Sequence, residues 1–141
     1  MYLLDTDHLS ALEWGSGVAG QNLITRLNKL SAGDASTTII SLEEQMRGWL
    51  SMLSKVRSLP EQVMVYGRLK NMLDNYGRID VLLFDMRAVS IFERLQKSRL
   101  KVGTMDLKIA AIALAHDATV LTRNIKDFGR VPGLRVEDWT A

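Results

Sequence analysis

The stretch "TMDLKIAAIALAHDATVLT" (104–122) decides the architecture. From Thr104 to about His116 it is apolar on most faces of a helix, the pattern of a helix covered by protein on nearly every side. "ATVLT" (118–122) then reads as a short, continuous β-type run, which suits a strand buried on both faces better than one with a wet side. Runs of the same kind occur at "YLL" (2–4), "ASTTII" (35–40) and "DVLLF" (80–84), with a possible fifth at "LRVED" (134–138). Helical patterns fill the intervals. Val18, Leu23, Leu27 and Leu30 are spaced for one helix that stops at Ala32-Gly33; residues 41–59 and 60–77 form two more, divided at Pro60; residues 85–100 form another. Strands alternating with helices predict a three-layer α/β/α fold around a central parallel sheet of four to five strands. The first strand is expected at its centre, because later units would wind outward from it.

Composition bounds the rest. At 141 residues the chain is read as one domain over 1–141, with 47% hydrophobic and 24% charged residues, as in an average globular protein. There is no cysteine, which excludes disulfides, thiolate zinc sites and thiol nucleophiles and agrees with a reducing compartment. Asp5 interrupts the first apolar run after four residues, so no secretory leader is expected, and no uncharged run approaches the ~20 residues of a membrane span. A cytoplasmic protein is expected. The net charge of +2 is too small to argue for a polyanionic partner by itself. "GSGVAG" (15–20) does not follow a strand and lacks the G-x-G-x-x-G spacing of a dinucleotide loop, so it is read as a loop or helix start.

In an open parallel sheet the carboxyl ends of the strands share one edge, where ligands bind. Asp5 and Asp7, Glu43 and Glu44, Asp85, and Asn124 and Asp127 all follow predicted strands, and Asp106 opens the apolar helix, so all converge on that edge. Each has a capping alternative: Ser41 with Glu44 as a capping box, Asn124 with Asp127 as another, Thr104 ahead of Asp106, Asp7 before a helix near His8, Asp85 before Met86. Asp5 is expected at the strand end and off the cap position, where a buried carboxylate needs a partner. Arg47 and Lys108, the nearest basic residues, lie on other helix sides, so acids gathering there would repel one another unless a divalent cation bound them. An all-oxygen ligand set favours Mg²⁺ or Mn²⁺ over zinc. His8 and His116 are read as structural.

"LLDTD" (3–7), "SLEEQMRG" (41–48), "VGTMDLKIAAIAL" (102–114) and "VLTRNIKDFGRVPGLRVEDW" (120–139), in that order, resemble PIN-domain ribonucleases, specifically the VapC-type toxins of bacterial toxin–antitoxin pairs. The resemblance implies a PIN-like fold and a metal-dependent endoribonuclease. It implies Asp5, Glu44, Asp106 and Asp127 as catalytic and metal-binding residues, with Glu44 chosen over Glu43 by its distance from Gly48. Asp7, Thr122 and Asn124 are placed around them. Asp7 stands where Asn is common, and Gln45 where an apolar residue is usual. It also implies a VapB-type antitoxin partner, received by a cleft in the Met-rich helical region 41–76, and a homodimer.

RNA contacts are expected from Arg123 and Lys126, with Arg130 beyond them and the basic run "RLQKSRLK" (94–101) ahead of Asp106; a solvated helix face is the plainer reading of that run. Two other functions fit parts of the pattern. One is a catalytically inactive PIN-like binding module in which the acids only cap helices. The other is a metal-dependent phosphatase of doubly wound fold, using Asp5 as nucleophile and Asp7 two residues on.

Overall fold

A computed structural model describes residues 1–14 and 17–141; residues 15 and 16, and with them the start of the "GSGVAG" segment, lie outside the described residues. In chain order the elements are β1 (Tyr2–Leu4), α1 (Thr6–Trp14), α2 (Val18–Leu27), β2 (Ala35–Thr38), α3 (Ile39–Lys55), α4 (Leu59–Tyr76), β3 (Asp80–Leu82), α5 (Met86–Lys97), α6 (Thr104–Ala115), β4 (Thr119–Leu121), α7 (Ile125–Phe128) and β5 (Arg135–Glu137). The strands form one sheet in the order β3-β2-β1-β4-β5, parallel at every pairing, so the fifth strand is present and β1 is central. Leu3 is aligned with Ser36 on one side and Val120 on the other.

Strand side chains alternate between faces, and here each face meets its own apolar layer. Leu3 and Val120 belong to a core with Ala88 and Leu95 of α5, Leu107 and Ile109 to Ala113 of α6, and Phe128; Leu4 and Leu121 belong to another with Leu9 of α1, Leu23 of α2, Met72 and Tyr76 of α4, and Trp139. Helix α6 is covered as its composition requires: Leu107, Ile109 to Ala113, and Ala115 are all buried.

Several boundaries differ from the sequence expectation, each through a local hydrogen bond. The run "ASTTII" does not continue as a strand, because the Thr38 hydroxyl oxygen accepts from the Ser41 amide at 3.1 Å and turns Ile39 and Ile40 into the start of α3. Thr38, not Ser41, is therefore the cap, and Glu44 is released from a capping box. Helix α4 begins at Leu59 because Ser58 caps it: its hydroxyl oxygen accepts from the Glu61 amide (3.2 Å) and donates its proton to Glu61 Oε1 (2.7 Å). Gly103 precedes α6 without a side-chain bond, so Thr104 is inside that helix and not its cap. Asp85 does cap α5, accepting from the Ala88 amide at 3.0 Å. The helix expected to run to Gly33 ends at Leu27; the chain then turns through Gly33, whose φ of 87° is the left-handed conformation glycine adopts freely.

Candidate metal centre

Asp5 joins the central strand to α1. Its amide donates to the Leu121 carbonyl (3.0 Å) and its own carbonyl accepts from the His8 and Leu9 amides (3.1 Å each). It thus starts the helix, contrary to the expectation that it lies off the cap position. Its carboxylate is buried, accepting from the Thr6 amide at Oδ1 (2.7 Å) and from the Thr122 hydroxyl at Oδ2 (2.9 Å). The expected cap role of Asp7 is also replaced, since α1 has already begun at Thr6. Asp7 instead accepts from His8 Nδ1 (2.7 Å), the Thr122 hydroxyl (3.1 Å) and the Arg123 amide (3.0 Å). His8 is fully buried, and its Nε2 accepts from the Trp139 amide (3.1 Å), so it is a structural group as read from the sequence.

Glu44 projects from α3 and Asp106 from the first turn of α6. One carboxylate oxygen from each of Asp5, Glu44 and Asp106 lies within 4.8 Å of the others. None of the three makes an ion pair among the described residues. The cations nearest in sequence are engaged elsewhere: Arg47 pairs with Glu43 (2.6 Å), and the Lys108 ammonium sits 5.6 Å from the centre of the Phe84 ring. That pairing also separates the two adjacent glutamates, one held by an arginine and one turned to the acids.

Gathering like charges in a buried place raises their affinity for protons. Burial, then the Asp7 charge, pushes the Asp5 carboxyl up to about 6. Burial, then Asp5 and Asp106, pushes Glu44 up to about 7. Asp106 is also raised, by burial and then by Asp127. Glu44 Oε1 is a buried oxygen with no hydrogen-bond partner, on a carboxylate that converges with two other acids. Three converging oxygen donors with one left unsatisfied fit a hard divalent cation in charge and in donor type.

Asp127 does not belong to that group of three. The Asn124 amide bridges it to Asp106, donating to Asp106 Oδ2 (3.2 Å) and Asp127 Oδ2 (3.1 Å), while Asn124 caps α7. Arg130 pairs with Asp127 (3.1 Å) and also donates to the Lys101 carbonyl (2.6 Å), so it braces this corner of the molecule. Arg123, Lys126 and the basic residues Arg94, Lys97, Arg99 and Lys101 are exposed. On α3 and α4, Met46, Leu50, Met52, Val63, Met64 and Leu73 are exposed apolar side chains, whereas Val65 and Met72 are buried.

Sequence reasoning missed three neighbours of the site, in two chain segments. Tyr76, from the end of α4, has a buried hydroxyl without a partner, and burial together with Glu13, Glu44 and Asp5 keeps it protonated far into alkali. The C-terminal residues Trp139 and Thr140 reach His8 and Arg123. Nothing in local spacing marks them, since they meet the site through distant chain segments.

A parallel β3-β2-β1-β4-β5 sheet carrying converging acids at its carboxyl edge is the PIN-like α/β/α fold seen in VapC structures. No family model matches the chain. Among individual proteins, the chain is similar to ribonuclease VapC2 of Rickettsia felis, 35% identical over 67 residues that make up 45% of this chain and 50% of the relative. It is similar to the tRNA(fMet)-specific endonuclease VapC of Salmonella typhimurium, 36% identical over 67 residues, 45% of this chain and 51% of that one. The matched segment thus spans about half the length of these curated relatives. The likeness of fold runs through the whole chain: a structure of VapBC2 from Rickettsia felis bound to a promoter DNA fragment superposes with a TM-score of 0.72 at 26% identity, covering 98% of each chain. It is VapC-type PIN proteins that the chain resembles in both sequence and fold.

Proposed function

We propose that this chain is a single-domain, metal-dependent endoribonuclease and the toxin of a toxin–antitoxin pair. The observation that carries the reading is the meeting of Asp5, Glu44 and Asp106 within 4.8 Å, with no basic side chain paired to them among the described residues and with Glu44 Oε1 buried and unpartnered. Relatives named ribonuclease and endonuclease support the same chemistry. In this reading Asp5, Glu44 and Asp106 hold Mg²⁺ or Mn²⁺, and Asp127 is a fourth site acid acting beside Asp106 through Asn124. Held by these residues, a divalent cation would supply water activation and charge neutralisation at the phosphate.

The chain's own residues prepare for this. Thr122 has one hydroxyl proton and two carboxylates in reach, Asp5 and Asp7, so it holds Asp5 without neutralising it. Asn124 separates Asp106 from Asp127 with an amide that donates to both. The raised proton affinities of Asp5 and Glu44 mean that loading a cation releases protons, so binding strengthens as pH rises toward and past 7. Exposed Arg123 and Lys126 offer positive charge to an RNA backbone beside the acids. The phosphatase alternative is less favoured, because the Asp7 carboxylate accepts from His8 Nδ1 and the Arg123 amide and lies within reach of the Thr122 hydroxyl.

A VapB-type antitoxin would cover the exposed apolar residues of α3 and α4, a surface rich in adaptable methionine. Solved complexes of similar fold pair a VapC with a VapB, which supports such a partner. A homodimer and a cytoplasmic location complete the proposal. The test is cleavage of RNA by the purified chain with Mg²⁺ or Mn²⁺, with EDTA, and with Asp5→Asn and Asp106→Asn. Activity that survives EDTA or both substitutions overturns the reading.

A further inference from the structure

The last residues of the chain fasten to the site by two routes that the nuclease reading leaves unused. In the first, the Trp139 amide donates to His8 Nε2, so the imidazole proton is on Nδ1 and is given to Asp7 Oδ1. Asp7 Oδ2 in turn accepts from the Arg123 amide. In the second, Thr140 Oγ1 accepts from Arg123 Nε (3.0 Å) and donates its own proton to Asp138 Oδ1 (2.6 Å), while Asn22 of α2 donates to the Thr140 carbonyl (3.2 Å). Trp139 pins the segment from below: it is buried, its ring lies 4.6 Å from that of Tyr2, and the Arg26 guanidinium is 5.8 Å from its centre.

Arg123 is therefore held at both ends, its backbone by Asp7 and its Nε by Thr140. Its two Nη groups make no hydrogen bond among the described residues. An exposed arginine ordinarily surrenders much side-chain freedom on binding; here that freedom is already restricted. Arg123 also lines a hollow of about 400 Å³ with Asp7, Ser10, Gly17 and Gly20, next to the acids because Thr122 links Asp7 to Asp5. The fork of a fixed guanidinium suits a phosphate, which accepts two parallel N–H bonds. Its charge acts on Asp138 through space, but no carboxylate among the described residues hydrogen-bonds to its Nη groups.

We infer that Thr140 is a positioning residue for Arg123, and that the two together form a clamp for a phosphate of the RNA outside the scissile bond. This rests on the nuclease reading. The test compares the full chain with Thr140→Val, Thr140→Ser, Arg123→Ala and the Arg123→Ala/Thr140→Val pair, using a labelled RNA oligonucleotide. Thr140→Val raises KM roughly five- to tenfold, the net worth of about one ordinary hydrogen bond, while kcat stays within about twofold. Mn²⁺ affinity by calorimetry is unchanged, Thr140→Ser restores KM, and Thr140→Val adds nothing once Arg123 is alanine. A fall in kcat or in Mn²⁺ affinity, or an undiminished Thr140→Val effect in the Arg123→Ala background, overturns the clamp. If the chain cleaves no RNA at all, the nuclease reading fails and the clamp is judged separately: in EDTA, RNA binding by fluorescence anisotropy weakens alike in Arg123→Ala and Thr140→Val, and the Arg123 Nε–H signal is sharp in the parent and in Thr140→Ser but averaged in Thr140→Val. RNA binding unaffected by either substitution overturns it.

Discussion

Replacing Asp5 by asparagine is expected to stabilise the metal-free protein at neutral pH while removing its activity. The folded chain holds the Asp5 proton up to about pH 6, against 3.8 for the ordinary carboxyl. An acid whose pKa is raised by folding binds more protons folded than unfolded, so stability falls as pH climbs through that interval and stays low above it. At roughly 1.4 kcal/mol per unit, ionised Asp5 costs the metal-free fold about 3 kcal/mol, of which about 2 is lost between about pH 4.5 and about pH 7.5. Asparagine keeps the contacts. Its Oδ1 can still accept from the Thr6 amide, and the Thr122 hydroxyl, which then accepts from the new Nδ2, can turn its proton fully to Asp7 Oδ2, 3.1 Å away. Relief of repulsion on Glu44 works in the same direction. The assay is urea unfolding in EDTA at the two pH values. The variant should gain on the parent by about 2 kcal/mol more at the higher pH, and added Mn²⁺ should close the gap by stabilising the parent alone. A gap that is the same at both pH values would refute the argument that charge crowding, and not local packing, dominates at Asp5.

Because protons and metal compete for the same oxygens, the thermal stabilisation of the parent by a fixed Mn²⁺ concentration should be small near pH 5 and grow through pH 7; an equal shift at both would place the metal elsewhere. Replacing His8 by leucine leaves the Trp139 amide and Asp7 Oδ1 without their buried partner and should cost roughly 2–4 kcal/mol in urea unfolding, with a loss under about 1 kcal/mol contradicting its bridging role. Val63→Asp, on the exposed face of α4, should leave folding and RNA cleavage within about twofold of the parent yet weaken inhibition by the cognate antitoxin at least tenfold; full inhibition would remove that face from the interface.

Much of the architecture was readable before any coordinates, because its signals are local. Short β-type runs of three to six residues mark the strands, and the all-round apolar helix at 104–115 marks the interior. The errors are local too. Thr38 ends a strand that its two following isoleucines seemed to extend, since one hydroxyl cap outweighs their β preference. Glu44 and Glu43 are indistinguishable by type and differ by one position; the helix rotates one toward Asp5 and Asp106 and leaves the other with Arg47.

By itself the sequence determined the strand order's raw material, the acids at the sheet's carboxyl edge and the absence of any thiol or paired histidine, because residue type and short-range periodicity suffice for these. The tertiary structure decided how closely those acids share the site: Asp5, Glu44 and Asp106 converge, while Asp127 lies outside that group. Asp5 and Thr122 meet from 117 positions apart, and His8 meets the Trp139 amide from 131. Those contacts are set by strand order and helix packing, which bring the two ends of the chain together around β1, and no local pattern encodes the distance between them. The same reason explains why Asp127 lies beyond Asn124 instead of among the three acids, and why Thr140, which lies outside every motif, holds Arg123.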